Sequence, residues 1–253
     1  MILTPLNPQR STLNLPRSRL ELSPGLWLDA RRAVWLEEHR ALLVADLHLG
    51  YAWAHRQRGN LMPISASEDT VDRLQILAAE YAPREIIVLG DVIHAAVAEE
   101  AVVADLRRLH AITGVAIRLI AGNHDVQLAP MLERAGVQVA AVREITLVGH
   151  LLIHGDGGDD LAADARCISI SERGGRVILG HEHPAITLSD GVATSVRCPC
   201  FLVGEDILVL PAFSPWSAGT NIRHGVFLSP FVRRARLTQA IAIVAEKLLP
   251  IPL

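Results

Sequence analysis

The chain has 253 residues, 50% of them hydrophobic and 20% charged, with a formal net charge of −3 at neutral pH. A chain of this length makes one large domain or two small ones and buries ~three quarters of its unfolded surface, so neither a disulfide nor a structural metal is required for folding. The acidic balance excludes a dense basic footprint for sequence-independent DNA wrapping, and no run reaches the ~18 apolar residues of a membrane span. Three cysteines, Cys167, Cys198 and Cys200, are too few and odd in number for a disulfide scaffold, and they read as thiols in a reducing cytoplasm.

Residues 1–20 carry Arg10, Arg17 and Arg19, no acid, and three prolines, which speak against the amphipathic helix of a transit peptide. They are expected to be an extension, with a single domain over 21–253. From Ala41 onward a pattern recurs: a short apolar run stops at a polar, metal-capable residue. Residues 41–45 run into Asp46, 86–89 into Gly90-Asp91, 116–120 into Gly122-Asn123-His124-Asp125, 151–153 into His154, and 177–179 into Gly180-His181-Glu182-His183. Such runs read as strands buried on both faces. Helical periodicity lies between them at 67–82, 98–110 and about 126–135. The alternation argues an α/β layered domain, in which ligands bind beyond the carboxyl ends of the strands. After His183 the runs at 192–196, 200–203 and 207–210, separated by Asp190-Gly191 and Gly204-Glu205-Asp206, predict a more antiparallel second sheet. The apolar tail at 240–252 is ambiguous between helix and strand.

The polar stops combine carboxylate, imidazole and amide oxygen, a set that suits Mn²⁺, Fe or Zn²⁺ better than Ca²⁺. Residues two apart at a strand end share a face, so Asp46 and His48 are expected to share an ion. The same spacing brings His181 and His183 together, unless a turn sends them to different ions. Each motif alone is weak; all five, in order and each after an apolar run, form a pattern.

That pattern, over about 41–185, resembles the signature of the calcineurin-like metallophosphoesterases. The resemblance implies a four-layer α/β/β/α sandwich of two mixed sheets flanked by helices, holding two divalent metal ions. It implies Asp46, His48, Asp91 and His183 on the first ion and Asp91, Asn123, His154 and His181 on the second, with Asp91 bridging. His124 matches the family's catalytic histidine near the leaving group, and Asp125 the acid that orients it. Pro199-Cys200-Phe201, the run 208–213 and Gly219-Thr220 resemble the branch called DNA-ligase-associated, which implies nucleic acid as substrate and a DNA ligase or helicase as partner.

The expected reaction is hydrolysis of a phosphate ester by a hydroxide held between the two ions, with His124 assisting the leaving group. A phosphodiester is favoured, because a histidine like His94, three residues beyond Asp91, occurs in double-strand-break nucleases of the superfamily. Arg56 and Arg58, shortly after the first motif, read either as a grip on substrate phosphate or as a solvated loop face. The rival readings are a metal-bound scaffold without catalysis, or a partner-dependent subunit of a DNA repair assembly. The cluster Arg233, Arg234 and Arg236 reads as a solvated face.

Overall fold

The computed structural model describes residues 18–61, 66–95, 99–112, 115–217 and 219–253, with backbone alone at 66–69. Nearly all of the expected extension therefore lies outside what is described. An antiparallel meander opens the first sheet: β1 (Arg19–Ser23), β2 (Leu26–Asp29) and β3 (Ala33–Leu36). β1 already takes in Arg19 and Leu20, the last two residues of the stretch expected to be an extension. β3 pairs antiparallel with β4 (Ala41–Val44), and parallel pairing then runs through β5 (Glu85–Leu89), β6 (Ala116–Ile120) and β7 (Ala141–Val142).

The second sheet has β9 (His150–Ile153), β10 (Val177–Leu179) and β13 (Ile207–Val209) in parallel. Antiparallel neighbours surround them: β8 (Glu144–Leu147) beside β9, and β12 (Ser195–Gly204) beside β13, β11 (Pro184–Ser189) and β15 (Leu237–Val244). The ambiguous tail is strand. β15 turns at Ala245 and Glu246, both at positive φ, into β16 (Lys247–Pro252). A two-residue turn of that hand suits a twisted hairpin, and Pro250 and Pro252 are tolerated because β16 is an edge strand. The expected strand at 192–196 is mostly turn; β12 starts only at Ser195.

Strand periodicity decides the layering. On β4, Leu42 and Val44 face one way while Ala41 and Leu43 face the other; on β5, Ile86 and Val88 oppose Ile87 and Leu89. The first set packs under α2 (Ala66–Tyr81), α3 (Glu99–His110) and α4 (Leu128–Ala135). The second set meets Ile178, Phe201, Leu208 and Ile241 of the other sheet. The far face of that sheet, including Val177, Leu179 and Val209, is covered by Ala163, Cys167 and Ile170 of α5 (Asp160–Ser171). The central strands β4, β5 and β10 are buried on both faces, which is why they read as continuous apolar runs, whereas β6, expected to be buried likewise, exposes Ala116 and Arg118 in its first half. The architecture is a four-layer α/β/β/α sandwich of two mixed sheets flanked by helices. Phe201 is fully buried between the sheets, and truncating it to alanine costs about 3–5 kcal/mol.

The three cysteines are buried and free, and burial pushes the Cys167 thiol up to about 11, which leaves it an inert packing group. Two of the three basic side chains at 233–236 are paired: Arg233 with Asp160 and Asp164, Arg236 with Asp164 and Asp206. They clamp α5 to the second sheet. No helix among the described residues is long and apolar enough to cross a membrane.

Candidate metal centre

The parallel strands of both sheets deliver their polar stops to one place. β4, β5 and β6 supply the first three motifs, and β9 and β10 supply His154 and His181-Glu182-His183. Beyond its end, β4 keeps pairing with the segment after β5: Asp46 N donates to Gly90 O at 3.1 Å, His48 N to Asp91 O at 2.9 Å and Leu49 N to Val92 O at 2.9 Å. The first two motifs are therefore locked side by side.

The expected reason for the Asp46–His48 pairing needs correction. Neither residue is in a strand. Asp46, His48, Asp91, His181 and His183 all have left-handed backbone, with φ between 44° and 66°. Alternation survives on this backbone, because Leu47 and Leu49 turn away into the helix-covered core. Non-glycine residues held there cost about 1–3 kcal/mol each, a strain the locked surroundings must carry, and such strain clusters at functional sites.

Donor atoms converge as two overlapping groups. Asp46, His48, Asp91 and His183 bring ligand atoms within 4.8 Å of one another. His48 Nε2 lies 3.2 Å from His183 Nε2, and His183 Nε2 lies 3.5 Å from Asp46 Oδ1. On the other side of Asp91, His154 Nε2 lies 3.5 Å from Asp91 Oδ1, 3.2 Å from Asn123 Oδ1 and 3.2 Å from His181 Nδ1. The turn through Glu182 thus points His181 and His183 to different groups. Asp46, His48, Asp91 and His154 are all buried.

The residues fit a pair of cations. Imidazole nitrogens that face one another and two buried carboxylates make poor packing on their own and a good donor set for a divalent ion. Glycine opens the space: a Cβ on Gly122 would lie 2.3 Å from Asp91 Oδ1, and one on Gly90 would lie 2.1 Å from His154 Nδ1. The electrostatics agree. Burial holds His48 down at about 3, with the neighbouring imidazoles adding to the effect against Asp46, so its ring is neutral and able to ligate. Burial would raise Asp46, but His183 and His154 beside it bring its carboxyl below the usual range.

The ligand-side tautomers have identifiable supports. His154 Nδ1 donates to Leu89 O at 2.9 Å, which turns Nε2 into the site. His183 Nδ1 lies 2.5 Å from Ser217 Oγ. Ser217 was not among the residues expected from sequence, and a lone serine carries no motif.

His124 stands at the mouth, its side chain 39% exposed and its Nε2 4.0 Å from Asp91 Oδ2. Asp125 does not orient the ring, contrary to expectation. Its buried carboxylate accepts from Ile93 N at 3.0 Å and Gly122 N at 2.9 Å, tying the second motif to the third. The ring of His124 is held instead by the carbonyl of His94, 2.9 Å from Nδ1. The His94 ring stacks on His124, with centroids 5.3 Å apart, and packs against Tyr51 at 4.6 Å on α1 (Tyr51–Gln57). Arg56 and Arg58 are exposed at the far end of that short helix. Burial, then the charge of His124, His55 and Arg58, lowers His94 to about 4.

Residues 39–185, more than half of the chain, match the calcineurin-like phosphoesterase family. Among solved structures, the nuclease MPE of Pseudomonas putida is similar over 89% of this chain and 94% of its own, at 26% identity and a TM-score of 0.65. Yfce, a phosphoesterase from E. coli, matches 71% of this chain and 83% of its own, at 16% identity and a TM-score of 0.39. A search of curated proteins gives no match. The chain belongs to the calcineurin-like phosphoesterase family and is a metal-dependent phosphoesterase.

Proposed function

We propose that the chain hydrolyses phosphodiesters, in nucleic acid or nucleotides, with two Mn²⁺ ions as its cofactor. The observation that carries this reading is the convergence of donor atoms from five strand ends around Asp91, with His124 at the open side. Asp46, His48, Asp91 and His183 would hold one ion; Asp91, Asn123, His154 and His181 the other. When bound, such ions neutralise phosphoryl charge and lower the pKa of water toward neutrality.

The protein's own contribution to bond breaking is assigned to His124. Its Nδ1 faces a carbonyl, an acceptor only, so that nitrogen carries a proton. In the imidazolium form Nε2–H then gives its proton to the departing ester oxygen, which leaves as an alcohol while the ring becomes neutral. Asp125 serves by fixing the two loops that place Asp91 and His124.

The preference for a diester rests on the surroundings. His94 and Tyr51 form a shelf beside His124, with Arg56 and Arg58 exposed at the other end of the helix that carries Tyr51, a set suited to a second ester arm and to neighbouring phosphates. Similarity to a nuclease at 26% identity supports the same direction. The likeness to the DNA-ligase-associated branch, and with it a DNA ligase or helicase partner in the cytoplasm, belongs to this proposal.

The test is a screen of chelator-stripped protein resupplied with Mn²⁺. Bis-p-nitrophenyl phosphate, p-nitrophenyl phosphate, a cyclic nucleotide and single-stranded DNA are compared by kcat/KM. A higher value for diesters than for the monoester supports the reading; clear preference for the monoester overturns it.

A further inference from the structure

We propose that Ser217 is a positioning residue for the first ion: its hydroxyl holds His183 in the tautomer and orientation that ligation requires. The inference rests on the reading of His183 as a ligand. It concerns a segment beyond residues 39–185, where the family match ends.

The segment that carries Ser217 is anchored to the metal motifs at several points. Phe213 N donates to Ala45 O at 2.8 Å, and Ser214 N to Asp46 O at 3.1 Å. Arg32 donates to the carbonyls of Ala212 at 3.1 Å and Ser214 at 2.7 Å. Arg73 donates to Phe213 O at 2.9 Å and lies over the Phe213 ring, 4.5 Å from its centroid. Further along, Thr220 N donates to His183 O at 2.9 Å. Gly219 sits so close that a Cβ there would lie 2.6 Å from the same carbonyl. The segment therefore touches the backbone of the first motif at one end and of the fifth at the other.

Ser217 lies between these anchors, with Oγ 2.5 Å from His183 Nδ1. The opposite nitrogen of the ring, Nε2, faces His48 and Asp46. An imidazole presents a lone pair at Nε2 only when Nδ1 carries the proton, and that N–H then needs an acceptor. The serine oxygen is that acceptor. Leu89 O plays the same part for His154. Among the described residues His48 Nδ1 has no such partner, so the orientation of the first group leans more heavily on Ser217. Outer hydrogen bonds of this kind change metal affinity by about 10–100-fold when removed.

The experiment is calorimetric titration of the chelator-stripped full chain with Mn²⁺, for wild type, Ser217→Ala, Ser217→Thr and His183→Ala. The proposal expects Ser217→Ala to weaken one of two binding events by about 10–100-fold while leaving the other within about threefold, and Ser217→Thr to restore it. Thermal unfolding of the metal-free Ser217→Ala chain should match wild type, which separates positioning of the ligand from support of the fold. Wild-type binding of both ions by Ser217→Ala, equal weakening of both, or no rescue by threonine overturns the proposal. If His183→Ala itself keeps both ions, the ligand reading fails first, and that outcome is distinct from the others.

Discussion

The ring of His124 hangs from the backbone of His94: Nδ1 lies 2.9 Å from the His94 carbonyl oxygen, and the two rings stack with an interplanar angle of 19°. The second motif therefore holds the histidine that the third motif supplies, the one proposed to assist the leaving group. His124→Ala removes no proposed ligand, so the variant should keep its metal content yet lose about 10²–10⁴-fold in kcat for an alkoxide leaving group. The loss should shrink for nitrophenol, which departs without a proton. Comparing the two leaving groups in one variant checks this; equal losses would contradict the acid role.

Gly122 is set by space rather than by backbone angle. A methyl group there must displace Asp91 Oδ1 or the Asp91 backbone nitrogen, 2.3 and 2.5 Å from the added carbon. Gly122→Ala should cost about 1–3 kcal/mol in urea unfolding of the metal-free chain, as overpacking does. It should also weaken both binding events in a metal titration, because Asp91 lies in both groups.

The shelf beside His124 predicts a dependence on substrate size. Arg56 and Arg58 are exposed at the end of α1, the helix whose Tyr51 packs on His94, and the proposal assigns them to the neighbouring phosphates of a long substrate. Replacing both by alanine should lower kcat/KM for an oligonucleotide by about tenfold or more, the loss of one or two charge-assisted phosphate contacts. The value for bis-p-nitrophenyl phosphate should stay within a few-fold. Equal losses on both substrates would remove these arginines from substrate binding.

Away from the site, Asp29 predicts a pH effect on stability. This buried carboxylate accepts from Arg31 N at 2.8 Å, from Arg31 Nη2 at 2.6 Å and from Tyr81 Oη at 2.8 Å. Burial alone would raise its pKa, but Arg31 and Tyr81 together carry it below the ordinary value. A depressed folded-state pKa means that the ionised form stabilises above the unfolded pKa of ~3.9, and that this stability fades as pH falls through the folded value. Asp29→Asn should be less stable than wild type at pH 7 by about 1–3 kcal/mol. The difference should narrow on going to pH 3, as read from denaturant midpoints at the two values. A difference independent of pH would assign the effect to packing.

Much of this was legible in the sequence for a physical reason. Strands β4, β5 and β10 are buried on both faces, so each reads as an unbroken apolar run, and the first polar residue after the run marks the strand end. What the sequence could not convey depends on contacts made at a distance. The left-handed backbone at Asp46 and His183 is imposed by cross-pairing of loops and not by residue type. The tail at 240–252 is strand because β12 offers β15 a free edge. The link between Ser217 and His183 joins residues 34 apart, through a side chain too common to stand out. Asp125 shows the converse: a motif position whose carboxylate binds backbone amides and not the histidine beside it.

Asp91 lies in both donor groups, so the number of metal ions held per chain reads the shared centre without reference to substrate. Wild type, Asp91→Ala and His48→Ala are each equilibrated with excess Mn²⁺, desalted, and analysed for metal per chain. Two ions are expected in wild type, loss of both together with turnover in Asp91→Ala, and weakening of chiefly one in His48→Ala. Two tightly held ions in Asp91→Ala would contradict the shared centre.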